Sequence, residues 1–61
     1  MEMKCWIARD MDGDLHIFRD KPERLSCFFN GVIISEFYRD VVPEITWENS
    51  PVEVVFKIEK V

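Results

Sequence analysis

Only two cysteines, Cys5 and Cys27, occur in the 61 residues, so at most one internal disulfide can brace the chain. A domain this short buries roughly 60 % of its unfolded surface, which is marginal for a monomer. A partner subunit or a structural metal is the other usual remedy. Metal ligands are scarce as well. His16 is the single histidine, there is no Cys-x-x-Cys pair, and a tetrahedral zinc site would need Cys5, Cys27, His16 and a carboxylate together. The sequence therefore predicts no metal and no cofactor. Long apolar runs are missing too. Val32–Ile34 and Val54–Phe56 fall far short of the about 20 residues of a membrane span. Met1–Cys5 holds Glu2 and Lys4 and no signal-like apolar stretch, so the expectation is a cytoplasmic chain with reduced thiols, each packed as a small hydrophobe. A basic excess is also lacking. Twelve acids against eight bases give a net charge of −4, and duplex nucleic acid, which selects a basic footprint, is not an expected partner.

What is present is apolar and aromatic. The hydrophobic share is 48 % and the aromatic share 13 %, which excludes a disordered chain. Asp12-Gly13, a strong hairpin-turn dipeptide, separates the β-prone runs Lys4–Arg9 and Leu15–Arg19. A two-residue loop there pairs Met11 with Asp14, Ala8 with Ile17 and Trp6 with Arg19. One face then holds Trp6, Ala8, Leu15 and Ile17, and the other Cys5, Ile7 and Phe18. Both are apolar, whereas a half-exposed hairpin has one such face. A rolled barrel, a loop or a second subunit must cover the other.

Lys21-Pro22 breaks the second strand, and residues 21–30 read as an irregular connection. Asn30-Gly31 is a second turn signal, followed by a strand over Val32–Tyr38. Arg39–Glu44 reads as a turn, Ile45–Trp47 as a brief extended piece and residues 48–51 as a loop. A last strand directs Val52, Val54, Phe56 and Ile58 to one side and Glu53, Lys57 and Glu59 to the other, with Val55 the exception. The expected fold is one mainly β domain, a small twisted antiparallel sheet or open barrel of four to five strands with little or no helix. Edges on so small a sheet favour a homo-oligomer.

Few constellations point to chemistry. Asp10-Met11-Asp12-Gly13-Asp14 starts like a calcium loop, but Leu15 stands where the EF-hand glycine belongs and Lys21 where its final glutamate does. A Cys27–His16 hydrolase lacks any local sign of an activated nucleophile. Eight aromatic rings interleaved with cations remain. Stacking beside a guanidinium is how proteins hold a base and its phosphate. Trp6, Tyr38 and Trp47 are the stacking candidates; Arg9, Arg19, Arg24 and Arg39 are the phosphate candidates; Trp6 facing Arg19 is the leading pair. Against this, small β domains use aromatics as core and stack Arg on Trp structurally. The acidic row of Glu36, Asp40, Glu44, Glu48, Glu53 and Glu59 reads as ordinary solubility rather than as an imitation of phosphates.

The blocks Cys5–Asp10, Asp12–Leu15, Phe18, Lys21-Pro22 and Pro43–Val54 resemble a family of short, uncharacterised proteins of Bacteroides-type gut bacteria and their phages or mobile elements. The resemblance covers about half the chain and brings no catalytic residue. It implies a small accessory, phage-borne protein acting in the host cytoplasm against host defence by binding. The combined expectation is a non-enzymatic homo-oligomer that sequesters a small anionic, nucleotide-like ligand. The alternative is an inhibitor or adaptor that blocks a host protein through an apolar face or an open strand edge.

Overall fold

The computed structural model describes residues 2–57 and is mainly β, with no helix among them and so none long and apolar enough to cross a membrane. Six strands follow in order: β1 (Glu2–Arg9), β2 (Leu15–Phe18), β3 (Glu23–Arg24), β4 (Phe29–Asn30), β5 (Ile33–Phe37) and β6 (Val52–Lys57). Four form an antiparallel sheet in the order β5-β2-β1-β6, and β3 and β4 form a separate two-stranded ribbon. The sheet is open, not a barrel, and β5 and β6 are its edges. The long strands draw on Val, Ile, Phe and Trp, residues that suit a pleated, half-buried surface. Ile58 and Glu59, expected to continue the last strand, lie outside the described residues.

The β1–β2 hairpin forms at the expected place in a different register. Trp6 lies opposite Phe18, Ile7 opposite Ile17, Ala8 opposite His16 and Arg9 opposite Leu15. The expected pairs, Trp6 with Arg19 and Ala8 with Ile17, are off by one residue. The reason is the loop. Asp10 N–H donates to the Asp14 carbonyl at 2.8 Å and Gly13 N–H to the Asp10 carbonyl at 2.9 Å, so the loop is Met11-Asp12-Gly13. Gly13 has φ +102°, as the residue closing a three-residue hairpin loop requires. Asp12 Oδ1 accepts from Asp14 N–H at 3.0 Å and supports the bend.

A slip of one residue moves every side chain of a strand to the other face. Cys5, Ile7, Leu15 and Ile17 therefore share one face, with Phe37, Val52, Val54 and Phe56 beside them and Ile45 and Val42 as the lid. Trp6, Ala8 and Phe18 share the other, covered by Phe29 and Trp47. Both faces are apolar, as expected, and the chain's own loops cover both. The second apolar face thus needs no second subunit.

The loops differ from expectation in two places. Residues 21–31 are not wholly irregular: Glu23 pairs with Asn30 and Arg24 with Phe29, and Leu25 N–H bonds the Phe28 carbonyl. This ribbon carries Phe29 over Phe18. Gly31 is not in a left-handed turn. It is needed for space, because a Cβ there would lie 3.0 Å from Phe18 Cδ2 and 3.4 Å from Pro22 Cα. Ile45–Trp47 is not a strand but part of a turn-rich segment tied by Thr46 N–H to Asn49 Oδ1 and by Ser50 Oγ–H to the Thr46 carbonyl. That segment places Ile45 on one face of the sheet and Trp47 on the other.

Candidate functional site

Arg9 ends β1 beside the hairpin loop, where the segment from Arg39 to Ile45 crosses it. Its Nε donates to the Ile45 carbonyl at 2.6 Å, Nη1 to those of Gly13 and Arg39 at 2.7 and 2.6 Å, and Nη2 to those of Val41 and Val42 at 2.8 and 3.2 Å. A guanidinium has five N–H donors, and all five are used. Arg9 is therefore a clamp on the backbone of two loops, with no donor left for a phosphate. The clamp also holds Val42 at φ 47°, a conformation that costs a β-branched residue.

Arg39 lies beside the same loop. Its guanidinium donates to the Asp12 carbonyl and faces Asp14 at 3.4 Å. Arg19 pairs with its neighbour Asp20 at 2.8 Å in solvent, a contact worth at most about 1 kcal/mol. It does not face Trp6. The three aspartates of the calcium-like stretch are occupied: Asp10 Oδ1 accepts from Phe29 N–H at 2.9 Å, Asp12 from Asp14 N–H, and Asp14 faces Arg39. Tyr38 stands 83 % exposed just after β5 and lines a shallow hollow of about 360 Å³ with Glu36, Phe37 and Val41.

Three of the predicted residues, Arg24, Trp47 and Trp6, do come together. The Arg24 guanidinium lies 4.0 Å from the Trp47 ring centre and 5.3 Å from that of Phe29, and donates to the Trp47 and Glu48 carbonyls. Phe29 and Trp47 pack at 5.2 Å with their rings 60° apart. Trp6 packs against the same cluster, and the cation over it is Lys21, 5.6 Å from the ring centre. Lys21 is absent from the residues the sequence suggested. Its nearness to a strand end was visible, but its folding back over Trp6 follows from Pro22 and the β3–β4 ribbon.

His16 Nδ1 lies 3.7 Å from Asp10 Oδ2 and Nε2 3.7 Å from Glu36 Oε1, with the ring edge-on to Phe18 at 6.2 Å. Cys27 lines a hollow with Asp10, Met11, Asp12 and Phe28, and no hydrogen bond joins it to His16 among the described residues. Cys5 lies on the sheet face away from His16, so the three soft ligands do not converge.

The thiols are free and differ sharply: Cys5 is buried and Cys27, expected to be packed, is exposed. Burial pushes the Cys5 thiol above its ordinary value of 9.0. A thiol reagent at neutral pH is expected to modify Cys27 promptly and Cys5 only as the protein unfolds. The native state keeps Cys5 neutral where the unfolded chain ionises it. Its contribution to stability is therefore complete below pH 9.0 and is lost as the pH rises further. Equal labelling rates for the two thiols in the native protein would contradict this packing.

Comparison with protein families, curated sequences and solved structures returned no match.

Proposed function

We propose that the protein is a non-enzymatic interaction module that works by strand addition at β5, pairing with a second copy of itself. The observation behind this reading is the state of that edge. Val32, Ile33 and Ile34 are 51 %, 50 % and 47 % exposed, the one consecutive run of exposed large apolar residues among those described. Unpaired edges template the addition of another strand, and natural sheets usually blunt them with charge, proline or bulges. The other edge, β6, also exposes Val55, at 48 %, but Glu53 and Lys57 flank it on the same side of the strand. Along β5 the single charge is Glu36, which faces His16, and one irregularity where Ile17 and Phe18 pair with Ser35 and Ile33 is the remaining defence. The total accessible surface of 4595 Å² exceeds the roughly 4,200 Å² of a compact monomer of this size.

A two-fold pairing centred on Glu36 would set like charges opposite each other, which is unfavourable. Centred on Ser35, the same pairing sets each Glu36 against Ile34 and joins the two Val32–Ile34 runs to the hollow beside Tyr38. A foreign strand offers the same backbone chemistry, which keeps inhibition of a host protein as the use such an edge would serve. Of the two grounds for a homo-oligomer, the uncovered hairpin face and the sheet edges, the second remains.

Light scattering on the purified protein tests the reading. The expected result is a dimer at micromolar concentration, and a monomer for Ile34→Lys with an unchanged far-UV circular dichroism spectrum. A monomeric wild type, or an Ile34→Lys chain that still dimerises, would overturn it.

A further inference from the structure

We infer a second site on the opposite side of the molecule from the Ile45 lid: the Trp6–Trp47 face binds a planar aromatic anion of the nucleotide class. The inference rests on where the cations without a carboxylate partner lie. Arg9 is saturated by carbonyls, and Arg19 and Arg39 face Asp20 and Asp14. Lys21 and Arg24 have no carboxylate within ion-pair distance among the described residues, and both sit over tryptophan rings of one cluster. Lys4 falls on the same side of β1 as Trp6, by the alternation of the strand. In a chain of net charge −4 this is a local concentration of positive charge beside two half-buried indoles. Glu53, opposite Trp6, and Glu2, on the same side of β1 as Lys4, are the carboxylates that bound it on the β1–β6 side.

The chemistry fits one ligand class. An indole stacks a flat ring of any base, and an ammonium or guanidinium at the same place takes the anionic group. Stacking alone gives weak binding, and so does one exposed cation alone. Together they discriminate a nucleotide from its nucleoside and from free phosphate. The hairpin-loop arginines take no part, because Arg9 spends all its donors on backbone carbonyls and Arg39 faces Asp14.

The chain has two tryptophans, and both lie in this face, so intrinsic fluorescence reports on it directly. The test is a titration of the full chain with AMP, adenosine and inorganic phosphate as separate probes. Saturable quenching by AMP is expected, with adenosine and phosphate weaker. Lys21→Gln and Arg24→Gln should each weaken AMP by about tenfold, which is 1.4 kcal/mol. Among the described residues the Lys21 side chain makes no hydrogen bond, so its variant separates ligand loss from misfolding, and unchanged circular dichroism verifies this. No saturable quenching by AMP, or equal AMP affinity in wild type and Lys21→Gln, would overturn the site. Equal binding of adenosine would overturn its anionic half. The β5 variant Ile34→Lys should titrate as wild type, which keeps this site separate from the dimer edge.

Discussion

Arg9→Ala is expected to remove a large part of the protein's stability. A 61-residue domain has roughly 3–9 kcal/mol to lose. The substitution removes five charged hydrogen bonds and leaves carbonyls of Gly13, Arg39, Val41, Val42 and Ile45 without their partner. One hydrogen bond to a charged group contributes about 1.5–3 kcal/mol, and bonds made by one side chain do not add. A loss of about 3–5 kcal/mol follows. The clamp joins the hairpin loop to the segment that holds Ile45 over the Cys5 face, so the lid should loosen with it. Arg9→Lys should recover little. An ammonium is a point charge with three donors and cannot reach carbonyls arranged around a planar fork. Urea unfolding followed by circular dichroism measures this. A change below about 1 kcal/mol would mean the carbonyls are satisfied by water and the clamp is dispensable.

Phe18→Ala is expected to cost about 3–5 kcal/mol, the range for emptying an aromatic site in a core. Phe18 is fully buried, and Ala8, Phe29 and the two tryptophans complete its cluster. Gly31 has no Cβ because Phe18 fills that space. The ribbon of β3 and β4 would lose the surface it docks on, so Trp fluorescence should shift to the red along with the drop in stability. Phe28→Ala is the contrast. Phe28 neighbours Phe29 in sequence yet is exposed, so its loss should stay within about 1 kcal/mol. Comparable losses for the two variants would contradict the burial of one and the exposure of the other.

These two residues show where sequence reasoning reaches and where it stops. Phe18 is readable as core from its place in a β-branched, aromatic run. Its partners are not, because the register that decides them was open. Register is specified strongly where one face is apolar and the other polar. Here Cys5, Ile7, Trp6 and Ala8 make both faces apolar, and the pattern has no preference between a two-residue and a three-residue loop. Asp12-Gly13 serves either loop, since both want a glycine with positive φ. One added loop residue then exchanged Leu15 and Ile17 for Phe18 on the Trp6 face, and separated Trp6 from Arg19.

The candidate site divides the same way. The sequence identified aromatic and cationic residues as the material of a site, and Arg24 with Trp47 is such a pair. It gave no means to sort the arginines. Arg9 looks like any strand-end cation until carbonyls from residues 39–45 arrive around it, and those contacts are made across some thirty positions.

The amino-acid order by itself determined the β class, the hairpin position, the break at Pro22, the four strands of the main sheet and the apolar character of both hairpin faces. These follow from local propensity, turn chemistry and period-two alternation, which act over a few residues. Tertiary structure alone decided the register, the loops that cover each face, the saturation of Arg9, the pairing of Lys21 with Trp6 and the exposure of β5. Each depends on which distant backbone reaches a given side chain, and that depends on closure of the whole sheet.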